Sequence, residues 1–101
     1  MGMNASDGGG LPEPYQLSAT GLPHGVNRLD FCVDDGPDGI IYEIWRRHGD
    51  TVDWASHATT TDNNFADSPV EAGQYYEYKV RSVLGGLESA FSNTAVVYGV
   101  E

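Results

Sequence analysis

The sequence predicts an all-β domain, either a sandwich or a barrel, and three observations lead to that prediction. Several short segments alternate apolar and polar residues with a period of two, which is the period of a half-buried strand. Gly, Pro, Asn and Asp cluster between these segments and predict turns. No segment sustains the apolar repeat of about 3.6 residues that an amphipathic helix requires.

The chain opens with a segment that we expect to be a tail. Three successive glycines at positions 8–10 predict flexibility, and Pro12 and Pro14 stiffen the entry to the first predicted strand. A length of 101 residues suits a single domain. We therefore divide the chain into a Gly- and Pro-containing tail or arm, residues 1–13, and one domain, residues 14–101.

Seven predicted strands come after the tail, and turn signals separate them. In the second strand, alternation places Leu29 and Phe31 on one face and Cys32 on the other. The densest turn signal is the run of Asp, Gly and Pro over residues 34–39, and the glycine pair at 85–86 ends the strongest strand. The predicted strands are Tyr15–Thr20, Asn27–Asp34, Ile40–Arg47, Thr51–Thr59, Asn64–Ala66, Tyr75–Val83 and Phe91–Tyr98.

The order of these strands resembles that of a fibronectin type III domain over about residues 12–99. The segment Tyr42–Arg46 resembles the strand C signature of that family, an aromatic, an aliphatic and an arginine. The segment Val70–Tyr76 resembles the corner that precedes strand F, which makes Tyr76 the family's corner tyrosine. Phe31 stands where the family usually has a tryptophan in strand B.

The resemblance implies a seven-stranded, immunoglobulin-like β-sandwich. Strands A, B and E would form one sheet, and strands C′, C, F and G the other. A glycine before strand F allows the tight turn at the corner. The residues expected to build this frame are Phe31, Tyr42, Ile44, Gly73, Tyr76, Tyr78 and Val80.

Charge and composition exclude several classes of function. The formal net charge is −10, with 5 basic and 15 acidic residues, so nucleic acid and anionic membrane surfaces would repel the chain. No apolar run approaches the roughly 20 residues of a membrane helix. The N-terminus does not resemble a secretory signal peptide. A single cysteine, Cys32, excludes an internal disulfide.

No motif predicts catalysis or a cofactor. The three histidines lack the spacing of a metal site, and neither a nucleophile elbow nor a cysteine–histidine signature is present. Asp34, Asp35 and Asp38 fall in one predicted loop and are weak candidates for Ca²⁺, although the spacing is not that of an EF-hand. The alternative is a loop rich in turn-forming residues. We therefore expect no enzyme activity, no cofactor and no metal.

The basic residues are the most informative feature. Four of the 5 lie in predicted strands C and F, which are neighbours in the resembled fold. Their outward side chains predict either cross-strand ion pairs on a solvated face or a docking face with an aromatic anchor. The residues of the predicted docking face are Trp45, Arg47, Lys79 and Arg81, with Trp54 extending it.

These observations favour a non-catalytic structural or interaction module. One hypothesis is an accessory, decoration-type protein on the surface of a bacteriophage or viral particle, assembled in the host cytoplasm. It would bind capsid, tail or other assembly subunits, including copies of itself, through its N-terminal arm or the C–F face. The alternative is an extracellular spacer or a ligand- or carbohydrate-binding module of a secreted bacterial carbohydrate-active enzyme or adhesin. Fold alone does not choose between them.

Overall fold

The computed structural model describes residues 10–49 and 53–101. These residues form β-strands and contain no α-helix. The strands are β1 (Tyr15–Leu22), β2 (Val26–Cys32), β3 (Ile41–His48), β4 (Ala55–Thr60), β5 (Asn64–Asp67), β6 (Tyr75–Leu84), β7 (Leu87–Glu88) and β8 (Ala95–Tyr98).

The strands form two antiparallel sheets that pack face to face. One sheet has the order β1-β2-β5, and the other has the order β4-β3-β6-β7, with β8 pairing with the first half of β6. The predicted sandwich is therefore confirmed, because these sheets correspond to A-B-E and C′-C-F-G.

The structure departs from the predicted strand bounds at the C-terminal end of the sandwich. The pattern predicts a last strand over Phe91–Tyr98, but β8 begins only at Ala95, and the short β7 precedes it. The reason is local, because the hydroxyls of Ser89 and Ser92 accept hydrogen bonds from the N–H groups of Ser82 and Val80 in β6. Serine side chains thus replace backbone carbonyls, and the ladder is interrupted between β7 and β8.

The core lies between the inward faces of the two sheets. Leu29 of β2 and Tyr78 and Val80 of β6 are fully buried, and Phe31 packs edge-on against Tyr42 with ring centroids 5.3 Å apart. Burying one such aliphatic side chain contributes about 1.5–3 kcal/mol. The buried hydrophobic cluster contains Leu17, Leu29, Phe31, Ile44, Val70, Tyr76, Tyr78, Val80 and Ala95.

The corner between β5 and β6 is closed by a tyrosine hydroxyl. The Tyr76 hydroxyl accepts a hydrogen bond of 2.8 Å from the N–H of Glu71. Gly73 supplies the positive φ of 78° that the turn needs. A Cβ at Gly99 would lie 2.0 Å from the Glu71 carbonyl oxygen, so only glycine allows the C-terminal segment to reach this corner.

The predicted tail falls largely outside the described residues, which begin at Gly10. Leu11 and Pro14 are buried, and the Pro12 carbonyl accepts a hydrogen bond of 2.7 Å from the Ser82 hydroxyl. The segment Leu11–Pro14 is therefore held against β6.

Removal of the Tyr76 hydroxyl oxygen should measurably lower the stability of the fold. Tyr76→Phe should lower the free energy of unfolding by about 1 kcal/mol, because the Glu71 N–H loses its acceptor in a partly buried site. Urea denaturation measures the change. The matched control is Tyr98→Phe, whose hydroxyl has no hydrogen-bond partner among the described residues. That control should stay within about 0.5 kcal/mol of wild type, and equal losses in both variants would contradict the role given to Tyr76.

Candidate docking face

The register of β3 and β6 brings the predicted face residues together. Trp45 pairs with Lys79, and Arg47 and Arg81 lie on either side of this pair. Inward residues such as Ile44 and Val80 are buried, so alternation directs these side chains to the other side of the sheet. We call this solvent-facing surface of the five-stranded sheet the outer face.

Cations and aromatic rings interleave on the outer face. Lys79 Nζ lies 4.5 Å from the ring centroid of Trp54 and 4.2 Å from that of Phe91. The Arg47 guanidinium covers Trp54 at 4.8 Å, and the Arg81 guanidinium covers Trp45 at 5.3 Å. Such contacts are each worth roughly 0.5–1 kcal/mol at exposed sites. All five predicted face residues therefore belong to one connected cluster, together with Phe91, which the sequence pattern did not place there.

The two arginines of the outer face are held by carboxylates. The Arg81 guanidinium contacts Glu43 at 2.8 Å and Glu88 at 3.0 Å, and Arg47 pairs with Glu77. A hydrogen bond from Trp45, opposed by partial burial and assisted by Arg81, lowers the pKa of Glu43. These are the cross-strand ion pairs that the sequence allowed as the alternative. The side chains of the outer face are consequently ordered in the absence of a partner.

Exposed apolar side chains lie at both ends of this sheet. Ile41 is 43% exposed at one end, and Val96 and Tyr98 are 54% and 62% exposed on β8 at the other. The Tyr98 ring packs edge-on against Tyr75 at 5.3 Å. Trp45 and Trp54, by contrast, are only partly exposed. The most accessible anchors of the outer face are therefore residues that sequence reasoning missed.

The candidate calcium ligands do not converge. Asp34, Asp35 and Asp38 are exposed, and Asp34 accepts a hydrogen bond of 3.2 Å from the Tyr15 hydroxyl. No group of three or more metal-ligating side chains occurs in residues 10–49 and 53–101. Cys32 is exposed, and its thiol lies 3.5 Å from the Gln16 side-chain oxygen. Within the same residues, no helix is long and apolar enough to span a membrane.

A buried ionic cluster joins the two sheets, and sequence reasoning missed it. The Asp67 carboxylate of β5 accepts hydrogen bonds from the Tyr78 hydroxyl at 2.6 Å and from Arg46 at 2.9 Å, and His57 Nε2 lies 2.8 Å away. The Tyr78 hydroxyl accepts a further bond from Asn27 of β2. Burial alone would raise the pKa of Asp67, but hydrogen bonds from Tyr78, His57 and Arg46 together lower it.

A β-bulge delivers the histidine to this cluster. Ile44 pairs with Ala58 and Trp45 pairs with Ser56, so His57 is the extra residue of β4. Bulges re-aim side chains in this way. The sequence did contain one signal, because alternation places Asp67 on the same face as Phe65, and a carboxylate at a core position requires partners.

Comparisons with known proteins identify the fold. No protein-family model matches the chain, and no curated protein matches it. The chain is similar to an Fn3-like protein from Clostridium thermocellum, with a TM-score of 0.70 and 24% identity over 92% of this chain and 96% of that one. It is also similar to the domain called FN3tt, with a TM-score of 0.73 and 19% identity over 89% of this chain and 96% of that one.

A structure of titin kinase and its flanking domains is similar at a TM-score of 0.73 and 10% identity, over 89% of this chain. The chain spans only 17% of that structure. At these identities the likeness concerns the fold alone. The chain therefore has a fibronectin type III-like fold.

The buried carboxylate predicts a pH-dependent stability. The folded pKa of Asp67 lies below the unfolded value of about 3.9, so its stabilising effect is present above about pH 4 and is lost as pH falls through the folded pKa. Asp67→Asn should cost about 3–5 kcal/mol at neutral pH, because Arg46 and His57 lose their shared carboxylate. The gap between the two proteins should narrow below about pH 4.

Urea denaturation between about pH 2 and 8 measures this gap across the range in which Asp67 titrates. The exposed Asp62 provides the control, and Asp62→Asn should change stability by less than about 0.5 kcal/mol at every pH. A gap between wild type and Asp67→Asn that stays constant down to the lowest pH would contradict the assignment.

Proposed function

We propose that this chain is a non-catalytic interaction module that docks on a protein partner through its outer face. The observation that carries the proposal is the concentration of basic and aromatic side chains on one face of an acidic domain. Three of the 5 basic residues, Arg47, Lys79 and Arg81, lie on this face in a chain of net charge −10. Trp, Tyr and Arg, all present on the outer face, dominate the energetics of protein interfaces.

The arrangement of the outer face supports docking rather than stability alone. The cation–aromatic contacts and ion pairs fix the side chains at the centre, so that docking would cost less conformational entropy. The exposed apolar residues at both ends supply surface that a partner could bury. Val96 and Tyr98 lie on β8, which pairs with β6 along one of its sides.

We propose further that the module acts as an accessory protein on a bacteriophage or viral particle. The strongly acidic surface suits the outside of such a particle better than a face turned toward nucleic acid. The predicted arm, residues 1–13, is a second candidate contact in this setting.

The alternative setting is a spacer or sugar-binding module of a secreted bacterial enzyme or adhesin. Stacking of a sugar ring requires an open aromatic face. Cations of the chain itself lie over Trp45 and Trp54, at 4.5–5.3 Å from the ring centroids. This arrangement favours protein docking over sugar binding.

Fractionation of native source material tests the setting. A density gradient separates large particles from soluble proteins, and mass spectrometry quantifies this chain in each fraction. We expect a fixed ratio of this chain to the particle proteins across the particle peak. Recovery only as a small soluble species, or within a longer chain, would contradict the particle assignment and favour the secreted module.

If the chain docks through the outer face, substitutions at two exposed tyrosines should have different effects on binding affinity. Tyr98→Ser should weaken rebinding to the fraction with which the chain co-sediments by at least about tenfold, the loss of one interface hot spot. Tyr15 on β1 is also exposed but belongs to the other sheet, so Tyr15→Ser should change binding less than about twofold. Circular dichroism and melting temperature establish that both variants are folded. Equal effects of the two substitutions would contradict the outer face as the docking surface.

A further inference from the structure

We infer that Lys79 is the point at which the outer face receives a carboxylate from its partner. This inference rests on the proposed docking function and specifies the chemistry of the partner. The partner would be a protein that presents one Asp or Glu side chain on an otherwise neutral or basic surface.

Lys79 differs from the other cations of the outer face in its partners. Arg81 contacts two carboxylates, and Arg47 contacts Glu77. Lys79 has no carboxylate within 4.0 Å among the described residues. Its ammonium group is instead placed between the rings of Trp54 and Phe91.

The aromatic rings provide no negative charge to pair with the ammonium. Lys79 is only partly buried, so its ammonium keeps part of its hydration, and each of the two cation–π contacts contributes roughly 0.5–1 kcal/mol. Partial burial lowers the pKa of Lys79, and the nearby guanidiniums of Arg47 and Arg81 lower it further. A carboxylate placed against Lys79 would relieve both effects. Because the ammonium is already partly desolvated and ordered, binding would require less additional free energy for desolvation and ordering.

The charge distribution restricts the partner's surface. Glu43, Glu77 and Glu88 balance the three cations of the outer face, so the whole net charge of −10 belongs to the remainder of the chain. An acidic partner would be repelled by that remainder at distances within a Debye length of about 8–10 Å. On the partner, a single carboxylate would complement Lys79, and a neutral or basic surface around that carboxylate would not be repelled by the acidic remainder of this chain.

The location of Lys79 would strengthen such a contact. It lies on the middle of β6, between the exposed apolar groups at the two ends of the sheet. A partner that covers those groups would exclude water from the centre, and a charge-assisted hydrogen bond is stronger in a dry environment.

Two blocked pentapeptides test the inference directly. Each has terminal lysines and two tyrosines, and the central residue is glutamate in one peptide and glutamine in the other. NMR titration of the ¹⁵N-labelled chain at low salt measures both affinities. The glutamate peptide should bind at least about fivefold more tightly, with shifts centred on Lys79 and its neighbours.

Replacement of one cation on each sheet by glutamine completes the design. Lys79→Gln should abolish the preference for the glutamate peptide, whereas Arg28→Gln, on the exposed side of the other sheet, should retain it. Absence of binding by both peptides, equal affinities for them, or a glutamate preference that persists in Lys79→Gln would overturn the inference. If Tyr98→Ser still weakens docking in that case, the outer face stands and only the carboxylate contact fails.

Discussion

The pairing of β3 with β6 is the constraint on which both the core and the outer face depend. Consecutive residues from Ile41 to His48 pair with Val83 to Tyr76. In this register Ile44 and Val80 face the other sheet, and Trp45 and Lys79 face outward. A slip of β6 by one residue would turn every side chain of that strand to the opposite face, since the period of a strand is two. It would place the Lys79 ammonium and the Arg81 guanidinium in the core, at a cost of several kcal/mol for each ion.

The buried Asp67 cluster applies a second constraint, between sheets rather than within one. Its carboxylate belongs to the three-stranded sheet, while Arg46, His57 and Tyr78 belong to the five-stranded sheet. Buried ion pairs add little net stability over a well-packed apolar core, but removal of one partner is costly. The cluster therefore defines how the two sheets are aligned. It also holds β4 at the edge of the sheet through the bulge at His57, beside the segment that positions Trp54.

The structural features that depend on apolar–polar alternation and on local sequence motifs could be predicted from the sequence. The two sheets, the corner at Tyr76 and the grouping of Trp45 with Lys79 all follow from a period of two and from the strand C and F signatures. The features that depend on contacts between residues distant in sequence could not be predicted. The bulge that turns His57 inward arises from the pairing of β3 with β4. The interruption between β7 and β8 depends on serine hydroxyls that reach β6. The partial burial of Trp45 depends on its contact with Phe91, which is distant in sequence.

The outer face combines a fixed cation–aromatic centre with accessible apolar ends, and we propose that a protein partner covers it. Hydroxyl-radical footprinting compares the native assembly with the isolated chain. Oxidation of Tyr98, Phe91 and Trp45 should fall in the assembly, while oxidation of Tyr15 and Leu22 on β1 should be unchanged. Unchanged oxidation on the outer face, or protection confined to β1, would contradict the proposal.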